Sequence, residues 1–301
     1  MSGFTSRNDL LSSRLARFTR VLHGVDKAEV GAIHHTRVAS RRLREVLPIL
    51  QLNGDLCAKL RRRLRKVTRW LGPPRELDVM LQLTDELSRT RRYSAQALKL
   101  LKDELAQSRR QLSTELTSRD IGARLKRAAR KLSRVSEELQ AIPDTPVQLR
   151  AMRWAIDARI VRRAEALTIA IAEAGQVYLA ERLHVVRIAM KKLRYAIELS
   201  VEAAGENDSA DLRALKRGQE LLGRMHDLQV LIDRVRRIQG TLAPPDLVLW
   251  RELDAVVTAL ENSCRRRHGR YMRDRSTIIA LCDQYRDKVP AGGAVAVRRM
   301  G

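Results

Sequence analysis

Aromatic side chains are nearly missing from this chain: two Phe, five Tyr and three Trp among 301 residues, or 3%. That scarcity argues against a surface built to stack a single nucleic-acid strand, which interleaves aromatics with cations. Trp70, Trp154 and Trp250 all fall in apolar-periodic helical contexts, where inward packing is the expectation. Cysteine is almost as rare. Cys57, Cys264 and Cys282 stand at unrelated spacings with no Cys-x-x-Cys, which excludes a disulfide framework and a thiolate zinc site. The six His make no His-x-x-x-His or His-Glu-x-x-His pattern, so neither a metal nor any other cofactor is expected. Fifteen Gly and eight Pro are few for this length, and no alternating strand run is present. No apolar run approaches the roughly 18 residues a membrane span requires. No signal-peptide core follows Met1, since Asn8, Asp9, Arg14 and Arg17 interrupt the start. A soluble, cytoplasmic protein without a membrane partner is the expectation.

Acidic residues are also in short supply. Thirty-five Asp and Glu face fifty-nine Lys and Arg, a formal net charge of +24. Self-repulsion on that scale points to a polyanionic partner. Leu, Ala, Arg and Glu recur at i, i+3, i+4 spacings, and 44% apolar content is enough for real cores, so an all-α globular protein is predicted.

One charged phrase occurs twice, about 150 residues apart. His34-His35-Thr36-Arg37-Val38-Ala39-Ser40-Arg41-Arg42-Leu43-Arg44 returns as His184-Val185-Val186-Arg187-Ile188-Ala189-Met190-Lys191-Lys192-Leu193-Arg194. At about 100° per residue, His34, Arg37 and Arg41 share a narrow sector with Arg44 beside it. Ala39, Leu43, Val46, Leu47 and Leu50 lie opposite. The second copy sorts alike, with His184, Arg187, Lys191 and Arg194 opposed to Ala189, Leu193, Ala196 and Ile197. The repeat continues, because Leu71-Gly72-Pro73-Pro74-Arg75-Glu76-Leu77-Asp78-Val79-Met80 aligns without a gap with Leu222-Gly223-Arg224-Met225-His226-Asp227-Leu228-Gln229-Val230-Leu231, one residue having been gained between the two motifs. Ahead of each Leu-Gly lies another cationic helix. Arg62, Arg65, Lys66 and Arg69 oppose Leu60, Leu64, Val67 and Leu71, with Arg61 and Arg63 flanking. Arg213, Lys216 and Arg217 are the counterparts, Glu220 replacing the fourth cation.

Two Pro within Ala141-Ile142-Pro143-Asp144-Thr145-Pro146 mark a linker at the midpoint. The expected organisation is a first helical repeat over 1–140, a linker over 141–147, a second repeat over 148–287 and a disordered tail over 288–301. Helices are expected near 6–23, 27–51, 54–71, 75–90, 92–118 and 121–140, then 148–174, 177–203, 208–222, 226–240, 245–268 and 270–287. Pro48 is expected to kink the first motif helix just beyond its cations. Two halves, each a bundle with charged stripes facing a shared space, would give a pseudo-two-fold protein.

The motifs His-x-x-Arg-Val-x-x-Arg-Arg-Leu-Arg, Leu-Gly-x-x-Arg-Glu-x-Asp-Val and His-x-x-Arg-Ile-x-x-Lys-Lys-Leu-Arg-Tyr, in this order, resemble the CHAD family, the conserved histidine α-helical domain. The resemblance covers roughly residues 6–287. It implies two pseudo-two-fold-related, four-helix-bundle-like halves with a basic groove between them, binding inorganic polyphosphate. It also implies association with polyphosphate granules, as for bacterial members. The carried-over positions are His34, Arg37, Arg41, Arg42 and Arg44, and His184, Arg187, Lys191, Lys192 and Arg194. Glu76 stands where the family often has Asp, and His35 adds a second His.

A polyphosphate offers only repeated anionic oxygens, so its receptor needs many charge-assisted donors and no stacking platform. Three roles stay open for His34 and His184: phosphate donor, helix-capping or packing residue, or phosphorylated nucleophile. No Gly-rich phosphate loop and no Mg²⁺-binding carboxylate cluster accompanies them, so non-enzymatic binding is expected over polyphosphate processing. Nucleic acid is expected only as a non-specific competitor, although a basic nucleic-acid-binding or ribosome-associated protein is the alternative. Glu76, Asp78 and Asp227 open helices and are assigned structural roles there, as is His226.

Overall fold

The computed structural model describes residues 5–205, 210–242 and 246–287. Apolar residues at three- and four-residue spacing make the chain all-α. Among the described residues there are ten α-helices, one 3-10 turn and no strand. In chain order they are α1 (Arg7–Arg20), α2 (Val30–Val46), α3 (Gly54–Trp70), α4 (Gly72–Arg89), α5 (Ala95–Ser118), α6 (Ile121–Ala141), α7 (Pro146–Ala174), α8 (Ala180–Ala204), α9 (Ala210–Gln239) and α10 (Leu247–Asp287). The tail expected to be disordered, 288–301, lies outside the described residues.

Local chemistry sets most of the ends. Asn53 caps α3 by accepting from the Asp55 and Leu56 amides, and Ser94 caps α5 through the Ala97 amide. α6 stops at Ala141, before Pro143. After it Thr145 and Gln148 form a reciprocal capping box, with Pro146 in the first turn of α7. α8 ends on Gly205 at φ 67°, the left-handed conformation that costs glycine least. Pro48 acts as expected: α2 ends at Val46 and the chain tightens into the 3-10 turn Leu47–Ile49.

Two expected breaks are absent. Gly223 lies inside α9 and Gly269 inside α10, so four expected helices are two long ones. Glycine weakens a helix interior by only about 1 kcal/mol, which tertiary burial of Leu222, Met225, His268 and Tyr271 on either side readily outweighs.

The backbone divides into two compact units. Of the described residues, one takes those up to Arg7, then those of Asp144–Gly223, then those from Arg267 to Asp287; the other takes those of Asn8–Pro143 and Arg224–Arg266. The units therefore differ from the sequence repeats 1–140 and 148–287, because α9 and α10 each divide between both units.

In the smaller unit α7 packs along α8, and Met152, Ile156, Ile160, Leu167, Val186, Met190, Leu193, Leu215 and Leu281 fill the core. Gly218 lets the neighbouring helices close in. A Cβ there would lie 3.0 Å from Met190 Sδ and 3.2 Å from Ile278 Cδ1. In the larger unit α2 packs on α3 and α4, α3 on α6, and α4 on α5, around Phe18, Ile33, Leu43, Leu47, Leu60, Leu64 and Leu101. Each such side chain contributes about 1.5–3 kcal/mol by burial. The stretch 224–239 of α9 is tied to α4 and α5 through Arg224–Glu86 and Arg234–Ser108, and to α10 through Arg236–Glu261.

Candidate functional site

The apolar faces expected of the motif helices are the buried ones. Ala39, Leu43, Val46, Leu47 and Leu50 are buried, as are Leu60, Leu64, Val67 and Leu71 on α3 and Ala189, Leu193, Ala196 and Ile197 on α8. Their burial fixes the helix rotation, and the cations are turned outward as a result.

In the larger unit His34 is partly buried near the start of α2, its ring edge-on to His35 with centroids 5.3 Å apart. Burial pushes its pKa down from the usual histidine value, and the nearby charges of Arg75, His35, Arg37 and Arg41 act in the same direction. Arg37 crosses to the end of α3, where Nη1 donates to the Thr68 carbonyl at 2.9 Å. It passes Gly72 so closely that a Cβ there would sit 3.0 Å from Nη1. The Gly of the Leu-Gly pair thus makes room for the Arg of the motif.

About two turns further along α2, Arg44 is partly buried. Burial lowers its pKa, and so do the charges of Arg41, Arg65 and Arg61; Glu45 alone opposes them. Its Nε is buried without a hydrogen-bond partner. Among the described residues no carboxylate lies within ion-pairing distance of Arg41, Arg44, Arg61 or Arg65. Four guanidinium groups from α2 and α3 therefore gather with no carboxylate in ion-pairing contact and only Glu45 acting against their charge, a setting that favours an anion. Arg42 is half-buried; its carbonyl accepts from Arg14 Nη1 at 3.0 Å, and it lines a recess of about 150 Å³ with Arg14, Arg17 and His35.

Arg62, Arg65, Lys66 and Arg69 are all exposed on α3, and Lys66 also stands over the Trp70 ring, 5.1 Å from its centroid, beside α6. Trp70 is therefore not the core residue its periodicity implied. Trp154 and Trp250 are not core residues either, being 51% and 44% exposed.

In the smaller unit the second motif repeats part of this pattern. His184 is half-buried and its pKa is lowered by burial, then by Arg187 and Lys191. Arg187 approaches Gly223, its Nε 3.6 Å from where a Cβ would stand. Arg194 departs from the first copy. It stacks on Tyr195 at 4.8 Å, donates from Nε to Gln219 Oε1 at 2.8 Å and pairs with Glu198, so an acid already occupies it. Lys192 is exposed and its carbonyl accepts from Arg163. Arg213, Lys216 and Arg217 are exposed on α9.

Asp78 is buried and pairs at 2.7 Å with Arg109 of α5. Arg109 also donates to the Ala28 carbonyl at 2.8 Å and to Ser113, fixing the turn before α2. The motif carboxylate thus has a structural role, but not the helix-opening one expected: α4 starts at Gly72 with no acid in its first turn, and Asp78 instead holds a distant arginine. His226 and Asp227 open no helix either, since both lie inside α9. Arg75, whose charge acts on His34, and Arg109, which holds Asp78, were not expected. Arg75 stood within the Leu-Gly motif and was legible there, whereas Arg109 belongs to no repeat.

Among the described residues no group of His, Cys, Asp or Glu could hold a metal, and no helix is long and apolar enough to cross a membrane. The fold and the clustered cations define an all-α protein with acid-poor, Arg-rich helical faces. The CHAD domain family model matches residues 9–236, and the chain belongs to that family. Similar solved structures include these two. PptA from Streptomyces chartreusis matches at 21% identity and a TM-score of 0.61, over 89% of this chain and 98% of its own. The CHAD domain from the plant Ricinus communis matches at 20% and 0.56, over 95% of this chain and 92% of its own. Identities this low show the fold alone. No curated protein matches the chain.

Proposed function

We propose that the protein binds inorganic polyphosphate, without catalysing a reaction on it, and that this binding carries it to polyphosphate granules. The observation that carries the reading is the cluster Arg41, Arg44, Arg61 and Arg65, which no carboxylate pairs directly and which is half-buried at Arg44. Similar guanidinium groups held together repel, and a flexible polymer of phosphates relieves that repulsion at several points at once. His34 and Arg75 extend the cluster along α2 and α4. The α8 residues His184, Arg187 and Lys191, with exposed Arg213, Lys216 and Arg217, form a second foothold on their own unit.

The test is titration of the full chain with labelled polyphosphates of increasing length. Affinity rises with length, falls steeply with salt as counterions are released, and withstands competition by RNA of equal charge. Arg41→Gln with Arg61→Gln and Arg65→Gln removes most of it. Equal affinity for RNA and polyphosphate across salt concentrations overturns the reading, as does release of phosphate or a stable phosphohistidine on incubation with Mg²⁺.

A further inference from the structure

α3 sends out a second cationic row that the polyphosphate reading does not use. Arg63, Lys66 and Trp70 follow one another at three and four residues, on the side of α3 facing α6 rather than Arg44. With Val67 of α3 and Arg124 and Arg127 of α6 they enclose a recess of about 250 Å³ within the larger unit. Its floor is the Trp70 indole beside buried Val67, and the carbon stems of the surrounding cations form much of the wall. Lys66 Nζ and the Arg124 guanidinium lie 5.1 Å and 5.2 Å from the Trp70 centroid. No acidic residue lines the recess. Arg127 meets Asp120 only at 3.9 Å, and Arg124 Nε donates to the Arg119 carbonyl.

This combination selects its ligand. Bare phosphate has no use for an indole floor, and an apolar molecule has no use for four cations. A planar aromatic group joined to phosphate uses both, since a base–aromatic stack contributes about 1–3 kcal/mol and Arg and Lys hold phosphate oxygens. We propose that the recess is a second ligand site, for a nucleoside phosphate whose base lies on Trp70 and whose phosphates lie on the rim of Arg63, Arg124 and Arg127. The volume lies just below the usual range of about 300–1,000 Å³ for small-molecule pockets, room for a base with the phosphates at the mouth. An entering base displaces Lys66 or Arg124 from the indole face, and the displaced cation meets the phosphates.

Calorimetric titration of the full chain with ADP and with pyrophosphate isolates what the nucleoside adds. ADP binds more tightly than pyrophosphate, and Trp70→Leu weakens ADP about tenfold, equivalent to about 1.4 kcal/mol. Trp70→Phe retains most of the affinity. Pyrophosphate and long-chain polyphosphate bind Trp70→Leu as they bind the parent, which separates this site from the cluster around Arg44. Arg127→Ala, at an exposed position, weakens ADP severalfold and serves if Trp70→Leu does not fold. A short single-stranded oligonucleotide that binds more tightly than ADP, with the same Trp70 dependence, identifies a strand as the source of the nucleotide. Equal binding of ADP and pyrophosphate overturns the proposal, and so does ADP affinity indifferent to Trp70→Leu.

Discussion

Arg37 and Gly72 are closely fitted: the guanidinium that donates to the Thr68 carbonyl lies 3.0 Å from where a Cβ at residue 72 would stand. Arg187 and Gly223 repeat the pairing with more room, 3.6 Å instead of 3.0 Å. The two glycines should therefore answer the same substitution in opposite directions. Gly72→Ala displaces Arg37 and forfeits its hydrogen bond, a loss of about 1 kcal/mol, and weakens polyphosphate binding. Gly223→Ala, inside the continuous α9, is neutral or gains up to about 1 kcal/mol of helix propensity. Paired urea titrations measure both.

Arg44 is expected to lower the stability of the unliganded protein. Arg44→Met removes a partly buried charge set among Arg41, Arg61 and Arg65. Its Tm without ligand rises by a few degrees, the size of shift about 1 kcal/mol produces. Polyphosphate raises the Tm of the parent more than that of the variant, a difference that thermal melts at fixed salt resolve.

His34 and His184 give a pH dependence whose sign is set by burial and neighbouring cations, in that order. Both folded-state pKa values lie below the unfolded value near 6.5. The unfolded chain therefore binds these protons first as pH falls. Their stability contribution is complete above that unfolded value and is lost as pH drops from it towards the folded values. A bound polyanion opposes the shift and raises both pKa values, so polyphosphate affinity increases from pH 7.5 to 5.5. His34→Gln with His184→Gln flattens both profiles.

Asp78 and Arg109 are a buried pair, with side chains 3% and 12% exposed. Arg109→Ala leaves the carboxylate without its cation and releases the Ala28 carbonyl, costing about 3–5 kcal/mol. Asp78→Asn costs less because an amide is cheaper to bury alone than a charge. In a double-mutant cycle the combined variant loses less than the sum of the two, as coupled residues require.

The helical class, the rotation of α2, α3 and α8, and the Pro48 turn follow from periodicity and backbone chemistry, and a single sequence displays those directly. Gly223 and Gly269 misled because glycine's cost is small and local, while the burial that outweighs it comes from residues distant in sequence. The Trp70 recess was hidden for a related reason. Its apolar spacing on α3 is that of a core residue, and only the approach of Arg124 from α6 makes it a floor. Spacing within α2 and α3 placed Arg41, Arg44, Arg61 and Arg65 on charged helices. It could not show that they converge on one another.

α9 and α10 each pass without interruption from one compact unit into the other. The boundaries of the duplicated sequence are consequently not boundaries along which the molecule comes apart. A gene fragment ending near Pro143 would encode α4 and α5 without the stretches 224–239 and 247–266 of their unit. Shuffling, truncating or fusing this chain has to respect the interleaved segments of each unit.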